Sequence, residues 1–329
     1  MKILFLIQDY EMPSSRVRVL NLLPYLKEKG IEFEVRPYPK GFVEKLKTFW
    51  ALRRFDAVFL QKKLPSPFES FLLKRASRYL IFDFDDAIYL RHDANKEIES
   101  KSRELKFKAI VKQADLIIAG NRILASEAGR FNKNVVIIPS AVETRDIPLK
   151  DWSDKAEDVV IIGWIGGAVN LGHLKLVGPV LKRLAEGYPI ELRIICSEGI
   201  EMEGVKVRFI PWSIETQEAE IARFDIGIMP LPRTKHSEGK CGYKALQYMA
   251  CGVPPVVSDV GINSEIVEHG KEGFVARDLD EFYRYLKVLI ENKELRREVG
   301  LRARQKVERY YSLSVVADRL SEVLLSIKL

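Results

Sequence analysis

A Gly-rich loop followed by a helix brings together residues that suit the binding of a diphosphate. The loop is Gly239–Gly242, and hydrophobic periodicity predicts a helix over Tyr243–Ala250 directly after it. The free N–H groups and the positive dipole end of a helix start attract anions. Lys240 and Lys244 are four positions apart, which predicts two cations on one helix face. Two ordinary surface lysines have the same spacing.

A glycine pair, Gly166-Gly167, follows a strand predicted over Val159–Trp164. Consecutive glycines at a strand end favour close approach of the backbone to a ligand, because no Cβ intervenes. A tight turn that needs a positive φ would explain one of them equally well. Ligands of parallel sheets bind outside the carboxyl ends of the strands, so we expect this pair to line a binding site.

The stretch Glu11–Arg18 joins the first predicted strand to the first predicted helix. Ser14 and Ser15 provide N–H and hydroxyl donors at the helix start, and Arg16 and Arg18 add positive charge. Such a set fits an anionic group such as a phosphate. A serine-capped helix start is the alternative explanation of the two serines.

Carboxylates end a buried strand in the first half of the chain. Alternation places Asp83 and Asp85 on one side of this strand and Asp86 at its mouth. We interpret Asp85 and Asp86 as candidate catalytic residues, of which one orders a hydroxyl group and another forms a salt bridge. A metal-binding Asp-x-Asp is the alternative. His92 is a candidate general base or hydrogen-bond donor, although a lone exposed histidine often has no such role.

Composition and charge narrow the class of protein. The 329 residues predict two domains, and no apolar run reaches the roughly 18 residues that span a bilayer. Three cysteines without metal-ligand spacing argue against a disulfide framework and fit a reducing cytoplasm. Residues 1–150 carry a net charge of +9, whereas residues 151–329 carry −2. The first half therefore predicts an anionic partner, unless the charge is only a solvated face.

Strands and helices alternate along both halves, which predicts two α/β domains with parallel sheets and helices on both faces. We place the first domain at residues 1–150, a linker at Glu143–Asp158 and the second domain at residues 157–311. A last helix covers residues 312–329. Other long helices are predicted at Arg16–Lys29, Asn95–Gln113 and Leu171–Glu186.

Several stretches together resemble the retaining glycosyltransferases of family 4 (glycosyl transferases group 1). They are MKILFLI, ADLIIAGNRIL, IIPSAVET, VVIIGWIGG and the segment from Ile226 to Ala276. The resemblance implies the GT-B fold, in which two Rossmann-like doubly wound domains face each other across a cleft. The first would bind the acceptor and receive the last helix, and the second would bind a nucleoside-diphosphate sugar.

The resemblance also implies the reaction. A sugar would pass from the nucleoside diphosphate to a hydroxyl of a glycan or lipid-linked acceptor, with retained configuration. The two lysines, the helix dipole and the amides of the glycine pair would stabilise the leaving diphosphate. We therefore expect neither a cofactor nor a metal. The Glu11–Arg18 stretch would hold a phosphate of the donor or the acceptor.

Individual donor-site residues follow from the resemblance. Trp212 matches a loop beside the nucleotide base, unless it only packs at a helix start. Two family glutamates, for the sugar and the ribose, align with Gly239 and Gln247, so this chain departs from the family. Glu238 would replace the first, and Gln247 can still bond ribose hydroxyls. Glu265 also matches, although its place at a helix start explains it alone.

These departures keep two other functions open, a non-catalytic nucleotide-sugar-binding protein and an epimerase on the same fold. Nucleic acid is not expected as a partner, because the interleaved aromatic and basic residues of RNA modules are missing. The basic segment at residues 40–78 has Phe42, Leu46, Phe49 and Trp50 along one side of a predicted helix. We expect peripheral contact with an anionic membrane at its inner face, unless this is an ordinary packed helix.

Overall fold

The computed structural model describes residues 1–153 and 159–328. The chain divides into two compact units. Unit 1 contains Met1–Ala141, Glu238–Cys241 and the residues from Leu313 onward, and unit 2 contains Val142–Ser237 and Gly242–Ser312. Unit 1 therefore ends before residue 150, and three residues of the Gly-rich loop, Gly239–Cys241, belong to unit 1. The charged end of the predicted linker, residues 154–158, lies outside the described residues.

Unit 1 is built on one parallel sheet of six strands. The strands are β1 (Lys2–Ile7), β2 (Glu32–Pro37), β3 (Ala57–Gln61), β4 (Leu80–Phe84), β5 (Leu116–Ala119) and β6 (Val135–Ile137). Their order is β2-β1-β3-β4-β5-β6. Strands β3, β4 and β5 are buried along their whole length, which explains their continuous apolar sequences.

Most helices of unit 1 have a proline or a polar cap at their start. The helices are α1 (Pro13–Arg18), α2 (Leu23–Glu28), α3 (Phe42–Ala51), α4 (Pro67–Ala76), α5 (Lys101–Gln113) and α6 (Arg122–Gly129). The single helix predicted at Arg16–Lys29 is wrong: a 3₁₀ turn at Leu20–Leu22 interrupts it, and Pro24 lies in the first turn of α2. Helix α5 starts six residues later than predicted, because Ser100 caps it.

Unit 2 repeats the architecture with a second parallel sheet of six strands. The strands are β7 (Val160–Ile165), β8 (Ile190–Cys196), β9 (Val207–Pro211), β10 (Ile226–Met229), β11 (Pro255–Ser258) and β12 (Phe274–Ala276). Their order is β12-β11-β10-β7-β8-β9. The chain leaves β7 toward β8 on one side and returns to β10 on the other. This reversal is the point at which such sheets bind ligands.

The helices of unit 2 are α7 (Leu171–Lys175), α8 (Gly178–Gly187), α9 (Gln217–Ile221), α10 (Lys235–Glu238), α11 (Tyr243–Ala250), α12 (Asn263–Ile266), α13 (Leu279–Glu291) and α14 (Lys293–Tyr310). The single helix predicted at Leu171–Glu186 is wrong, because proline is disfavoured in the interior of a helix and Pro179 instead lies in the first turn of α8. A last helix, α15 (Leu313–Leu325), packs with β1 in the core of unit 1. The predicted fold class, α/β with two doubly wound sheets, is confirmed.

Candidate functional site

A buried tyrosine fixes the start of α11 at the carboxyl edge of the unit 2 sheet. The Tyr248 hydroxyl accepts a hydrogen bond from the Ile165 N–H and donates one to the Ile228 carbonyl, both at 3.1 Å. Its ring fills the space above Gly227, where a Cβ would lie 2.4 Å away. Ile165 ends β7 and Ile228 lies in β10, so one side chain holds α11 against both strands at the reversal point.

Lys244 lies one helical turn before this anchor. Its Nζ is 5.3 Å from the ring centre of Trp164, which is completely buried. An ammonium group at this distance is attracted to the face of an indole ring. A Cβ at Gly166 would lie 2.7 Å from Lys244 Cε and 2.6 Å from Trp164 Cη2. Gly166 is therefore a glycine because this lysine and this indole occupy its side-chain space.

The two members of the glycine pair differ in what they can bind. The Gly166 N–H donates to the Ile195 carbonyl at 3.1 Å, so it is engaged with β8. This amide is not available to a diphosphate, contrary to the expectation from the sequence. Gly167 is exposed, and a Cβ there would meet no atom within 4 Å. A ligand role for the Gly167 amide stays a prediction.

Gly242 turns the chain into α11. It is the N-cap of the helix and has a φ of +65°, a conformation that glycine adopts without strain. A Cβ there would lie 2.2 Å from Ile266 Cδ1. Helix α11 begins at Tyr243, so Lys240 lies outside it and does not share a helix face with Lys244 as expected. In unit 2, the predicted cation at the helix start is Lys244 alone.

Gln217 links two of the predicted donor-site residues. Its Oε1 accepts hydrogen bonds from the indole N–H of Trp212 at 3.0 Å and from Gln247 Nε2 at 3.5 Å. The residues assigned to the base and to the ribose therefore meet through a third side chain. Sequence reasoning missed Gln217, although a polar residue at a helix start, one turn after an exposed tryptophan, was the available signal.

Helix α12 adds two polar residues next to the start of α11. Glu265 is exposed in this helix, and the neighbouring Ile266 contacts Gly242. Asn263 is buried and donates to the Ser258 carbonyl at 2.9 Å. Within the described part of the chain, Asn263 Oδ1 has no hydrogen-bond partner. A buried acceptor of this kind is a candidate partner for a ligand hydroxyl or for water.

In unit 1, Arg18 and Asp83 form a buried ion pair. Arg18 donates through Nε and Nη2 to the Asp83 carboxylate and through Nη1 to the Ile138 carbonyl at 2.8 Å. The side chains of the pair are 3% and 1% exposed. Burial opposes the charge on Arg18, but Asp83 outweighs it and raises the Arg18 pKa above its ordinary value. Arg18 is therefore a core residue and not the phosphate ligand that we expected.

The other residues of α1 that were predicted to bind a phosphate make hydrogen bonds within unit 1. The Ser15 hydroxyl donates to Gln61 Oε1 at 3.3 Å, and the Ser14 hydroxyl donates to Gln8 Oε1 at 3.1 Å. The Ser15 N–H donates to the carbonyl three residues earlier, at 2.9 Å. Arg16 also donates to a backbone carbonyl of the preceding loop, at 2.8 Å. Helix α1 has only six residues, and these contacts give it no open anion site.

Lys62 forms ion pairs with both candidate catalytic carboxylates. It follows β3, and its Nζ lies 2.8 Å from Asp85 Oδ1 and 3.6 Å from Asp86 Oδ2. Its φ is +52°, which is uncommon for a residue other than glycine. Burial opposes the charge on Lys62, but the two carboxylates raise its pKa above its ordinary value. The Lys62 ammonium group holds the carboxylates of Asp85 and Asp86 in place at the carboxyl end of β4.

These ion pairs bear on the alternative of a metal-binding Asp-x-Asp. Asp83 forms an ion pair with Arg18, and Asp85 forms one with Lys62. Protein cations are therefore already paired with these two carboxylates. In residues 1–153 and 159–328, no group of three His, Cys, Asp or Glu side chains is placed to hold a metal ion.

A backbone contact bears on the two roles predicted for His92, both of which stay predictions. Its Nδ1 accepts a hydrogen bond from the Ala94 N–H at 3.1 Å. In the neutral imidazole the proton is therefore on Nε2. In this state Nε2 donates a hydrogen bond but cannot accept a proton. The geometry favours a donor over a general base.

The Gly-rich loop is tightly packed at Gly239, the position that the sequence resemblance aligns with a glutamate. Asn121 Nδ2 donates to the carbonyls of Gly239 and Lys240, at 3.0 and 3.3 Å. A Cβ at Gly239 would lie 2.7 Å from Ala87 Cβ, so no larger side chain fits. Burial raises the pKa of the Cys241 thiol to about 12, which keeps it protonated. The departure at Gly239 is therefore a packing requirement of unit 1.

Comparison with known proteins extends this description. Residues 156–292 match the family model described as Glycosyl transferases group 1. Apart from Glu238–Cys241, this stretch belongs to unit 2, and it contains Trp164, Trp212, Lys244 and Gln247. The resemblance inferred from the sequence is thus confirmed for a glycosyl transferases group 1 domain. No curated protein sequence matches the chain significantly.

Solved structures share the fold of both units. The Anabaena protein HepE (Alr3699), in complex with UDP and glucose, is 15% identical with a TM-score of 0.72, covering 99% of this chain and 100% of HepE. Sucrose-phosphate synthase from Thermosynechococcus elongatus is 13% identical with a TM-score of 0.74, covering 98% of each chain. The lipopolysaccharide outer core galactosyltransferase WaaB is 12% identical with a TM-score of 0.65, covering 99% and 100%. The chain has the GT-B fold.

The ion pair in unit 1 is tested by removing one or both partners. Arg18→Leu should lower the free energy of unfolding by about 3–5 kcal/mol, because it leaves a buried carboxylate unpaired. The double variant Arg18→Leu/Asp83→Leu should lose much less, because neither charge remains. Thermal unfolding of Arg18→Leu, Asp83→Leu and the double variant, with Arg53→Leu on the surface as control, measures the difference. A double variant as unstable as the sum of the two single variants would contradict the pairing.

Proposed function

We propose that the chain is a glycosyltransferase that moves a sugar from a nucleoside-diphosphate sugar to a hydroxyl of a glycan or lipid-linked acceptor. The observation that carries the proposal is the arrangement at the carboxyl edge of the unit 2 sheet. There, Lys244 stands at the start of α11, and Gln247 joins Trp212 through Gln217. The group 1 domain at residues 156–292 supports the same activity.

The diphosphate of the donor would bind at the start of α11. The first N–H groups of this helix point toward the carboxyl edge, and Lys244 supplies a full positive charge beside them. Contact with the buried Trp164 holds the lysine stem over the end of β7. Cations and helix N–H groups fixed in advance stabilise the negative charge that develops on a leaving diphosphate. A metal ion or a cofactor would be redundant for this task.

The nucleoside would lie beside Trp212. Gln217 accepts the indole N–H, which fixes the orientation of the ring that the base or ribose would contact. Gln247, one turn after Lys244 in α11, would bond the ribose hydroxyls. HepE, which shares the fold, was solved in complex with UDP, and we propose a uridine nucleotide here. Asn263 Oδ1 and Glu265 are candidates for the hydroxyls of the donor sugar.

The acceptor would bind to unit 1. Asp85 and Asp86, held by Lys62 at the end of β4, would order its hydroxyl, and His92 would donate a hydrogen bond. Retention of configuration fits a site without a strong general base, because the departing phosphate can take the acceptor proton. WaaB is named as a lipopolysaccharide outer core galactosyltransferase, which supports a cell-surface glycan as acceptor.

A non-catalytic nucleotide-sugar-binding protein is the second candidate function. Gly239 has no space for the glutamate of the family, and Gln247 replaces the other one. An epimerase on the same fold is the third. The three functions differ in the fate of the donor: transfer releases UDP in the presence of an acceptor, binding releases none, and epimerisation changes the product sugar.

A turnover assay with a panel of UDP-sugars separates these functions. We expect release of UDP that depends on added glycan or lipid-linked acceptor, and an anomeric configuration in the product that equals that of the donor by NMR. Excess EDTA should leave the rate unchanged, because Lys244 and α11 supply the positive charge. Donor binding without release across the panel would refute the glycosyltransferase. Loss of activity with EDTA that Mn²⁺ restores would refute the metal-independent site.

The ribose contact is tested with 2′-deoxy donors. Gln247→Ala should raise KM for the ribonucleotide donor about 2- to 12-fold, the range that a neutral hydrogen bond of 0.5–1.5 kcal/mol gives. The effect on the 2′-deoxy donor should be smaller, because this donor already lacks one partner. Lys244→Ala is the control, since it would act on the diphosphate, which both donors carry, and should affect both donors alike. Equal losses with Gln247→Ala would make Gln247 a packing residue.

A further inference from the structure

Helix α3 of unit 1 presents a strongly exposed apolar stripe. None of its ten residues is buried. Phe42 and Trp50 are 77% and 78% exposed, and Leu46 between them is 52% exposed. These three positions are four residues apart, so they lie along one side of the helix. Val43, 62% exposed, widens the stripe. Monomeric proteins rarely expose large contiguous apolar patches unless these bind something.

The neighbouring helix α4 adds two more aromatic side chains. Phe68 and Phe71 are 69% and 48% exposed. Lys45 of α3 forms an ion pair with Glu69 of α4, which joins the two helices side by side. We call these exposed apolar residues the α3–α4 face: Phe42, Val43, Leu46, Trp50, Phe68 and Phe71.

Phe49 does not lie on the side of α3 where the sequence predicts it. It was expected on the apolar side of an interfacial helix, but it packs against the core of unit 1. Leu52, directly after α3, is completely buried in the same cluster. These two residues attach α3 to unit 1. The exposed stripe is therefore the outer side of a helix that is already anchored, and it is not needed for the core.

Exposed positive charge surrounds the α3–α4 face. Lys47, Arg53 and Arg54 are exposed on and after α3, and Arg75 is exposed on α4. The guanidinium carbon of Arg54 lies 5.5 Å from the ring centre of Trp50, so this cation is adjacent to an aromatic ring of the face. The segment from Lys40 to Arg78 contains ten basic and three acidic residues. The partner of this face should therefore be both apolar and negatively charged.

The three acidic residues of this segment have partners within unit 1. Glu44 accepts from the backbone N–H of Lys40, Glu69 pairs with Lys45, and Asp56 accepts from the N–H of Lys2 at 2.7 Å. They satisfy local groups, so the outward charge comes from the exposed lysine and arginines. Two copies of such a face would repel each other. Charge complementarity therefore favours an anionic surface over a second copy of this chain.

We propose that α3 and α4 dock on an anionic lipid bilayer, with α3 lying in the plane of the interface. Phe42, Leu46 and Trp50 would enter the region between headgroups and acyl chains, where amphipathic aromatic rings are favoured. The exposed lysine and arginines would contact lipid phosphates. Of the helices that the structure describes, none has the length and apolar content to cross a bilayer. The proposal concerns unit 1 and holds for any activity of unit 2.

Vesicle flotation of the full chain tests the proposal. At low salt, the protein should float with vesicles of phosphatidylcholine mixed with phosphatidylglycerol and stay behind with phosphatidylcholine alone. High salt should release it, because the ionic part of the contact is screened. Trp50 emission should shift to the blue on binding, and Trp50→Phe should remove this shift. Equal flotation with both vesicle types, or none with anionic vesicles at low salt, would overturn the proposal.

Variants separate the apolar and the charged contributions. Phe42→Ser/Trp50→Ser should weaken partitioning at least about tenfold, because two interfacial aromatic rings are lost. Lys47→Glu/Arg54→Glu should remove the preference for anionic vesicles. Matched controls are Tyr310→Ser and Arg309→Glu, an aromatic and a cation on α14 of unit 2, which should leave flotation unchanged.

Two further readouts complete the test. All these substitutions are on the surface, so unfolding temperatures should agree within about 2–4 °C, the shift that 1 kcal/mol produces in a domain of this size. Controls that bind as weakly as the α3 variants would overturn the proposal. Sedimentation equilibrium that detects a dimer, abolished by Phe42→Ser/Trp50→Ser, would assign the face to self-association and overturn it as well.

Discussion

The hydroxyl of Tyr248 is the contact on which the candidate donor site depends. It joins the last N–H of β7 to a carbonyl of β10 and so fixes α11 at the point where the strand order of unit 2 reverses. Two positions without a side chain make this possible, since Gly227 leaves space for the ring of Tyr248 and Gly163 for that of Phe224. Lys244 and Gln247 lie on the same helix as Tyr248. Lys244 is one turn before it, and Gln247 is one residue before it. A shift of α11 would therefore move the proposed phosphate-binding and ribose-binding side chains together.

The carboxyl edge of the unit 1 sheet pairs its cations with carboxylates. Arg18 pairs with Asp83, and Lys62 pairs with Asp85 and Asp86. In unit 2, Lys244 at the start of α11 lies close to the indole ring of Trp164, which attracts a cation. We propose that the negatively charged part of a substrate binds to unit 2 and a hydroxyl-bearing part to unit 1.

The sequence was informative wherever a local pattern decides the structure. Continuous apolar runs located the strands, and periodicity located α11 directly after its Gly-rich loop. It misled where a distant partner decides. Arg18 looks like a surface cation at a helix start until Asp83, 65 positions later, is brought beside it. Gly166 looks like a ligand-binding glycine, but the side chains of Trp164 and Lys244 explain it. Gln217 became visible only when the fold placed it between Trp212 and Gln247.

Calorimetry with UDP and with uridine on Lys244→Ala tests the central claim that α11 and its lysine hold a diphosphate. The variant should bind UDP about 1.5–3 kcal/mol more weakly, the scale of a hydrogen bond to a charged group, and bind uridine almost as well as the unchanged chain. Lys271→Ala is the control, because this exposed lysine precedes β12 and so lies at the opposite, amino edge of the same sheet. Unchanged UDP affinity in Lys244→Ala, or an equal loss for UDP and uridine, would contradict the account.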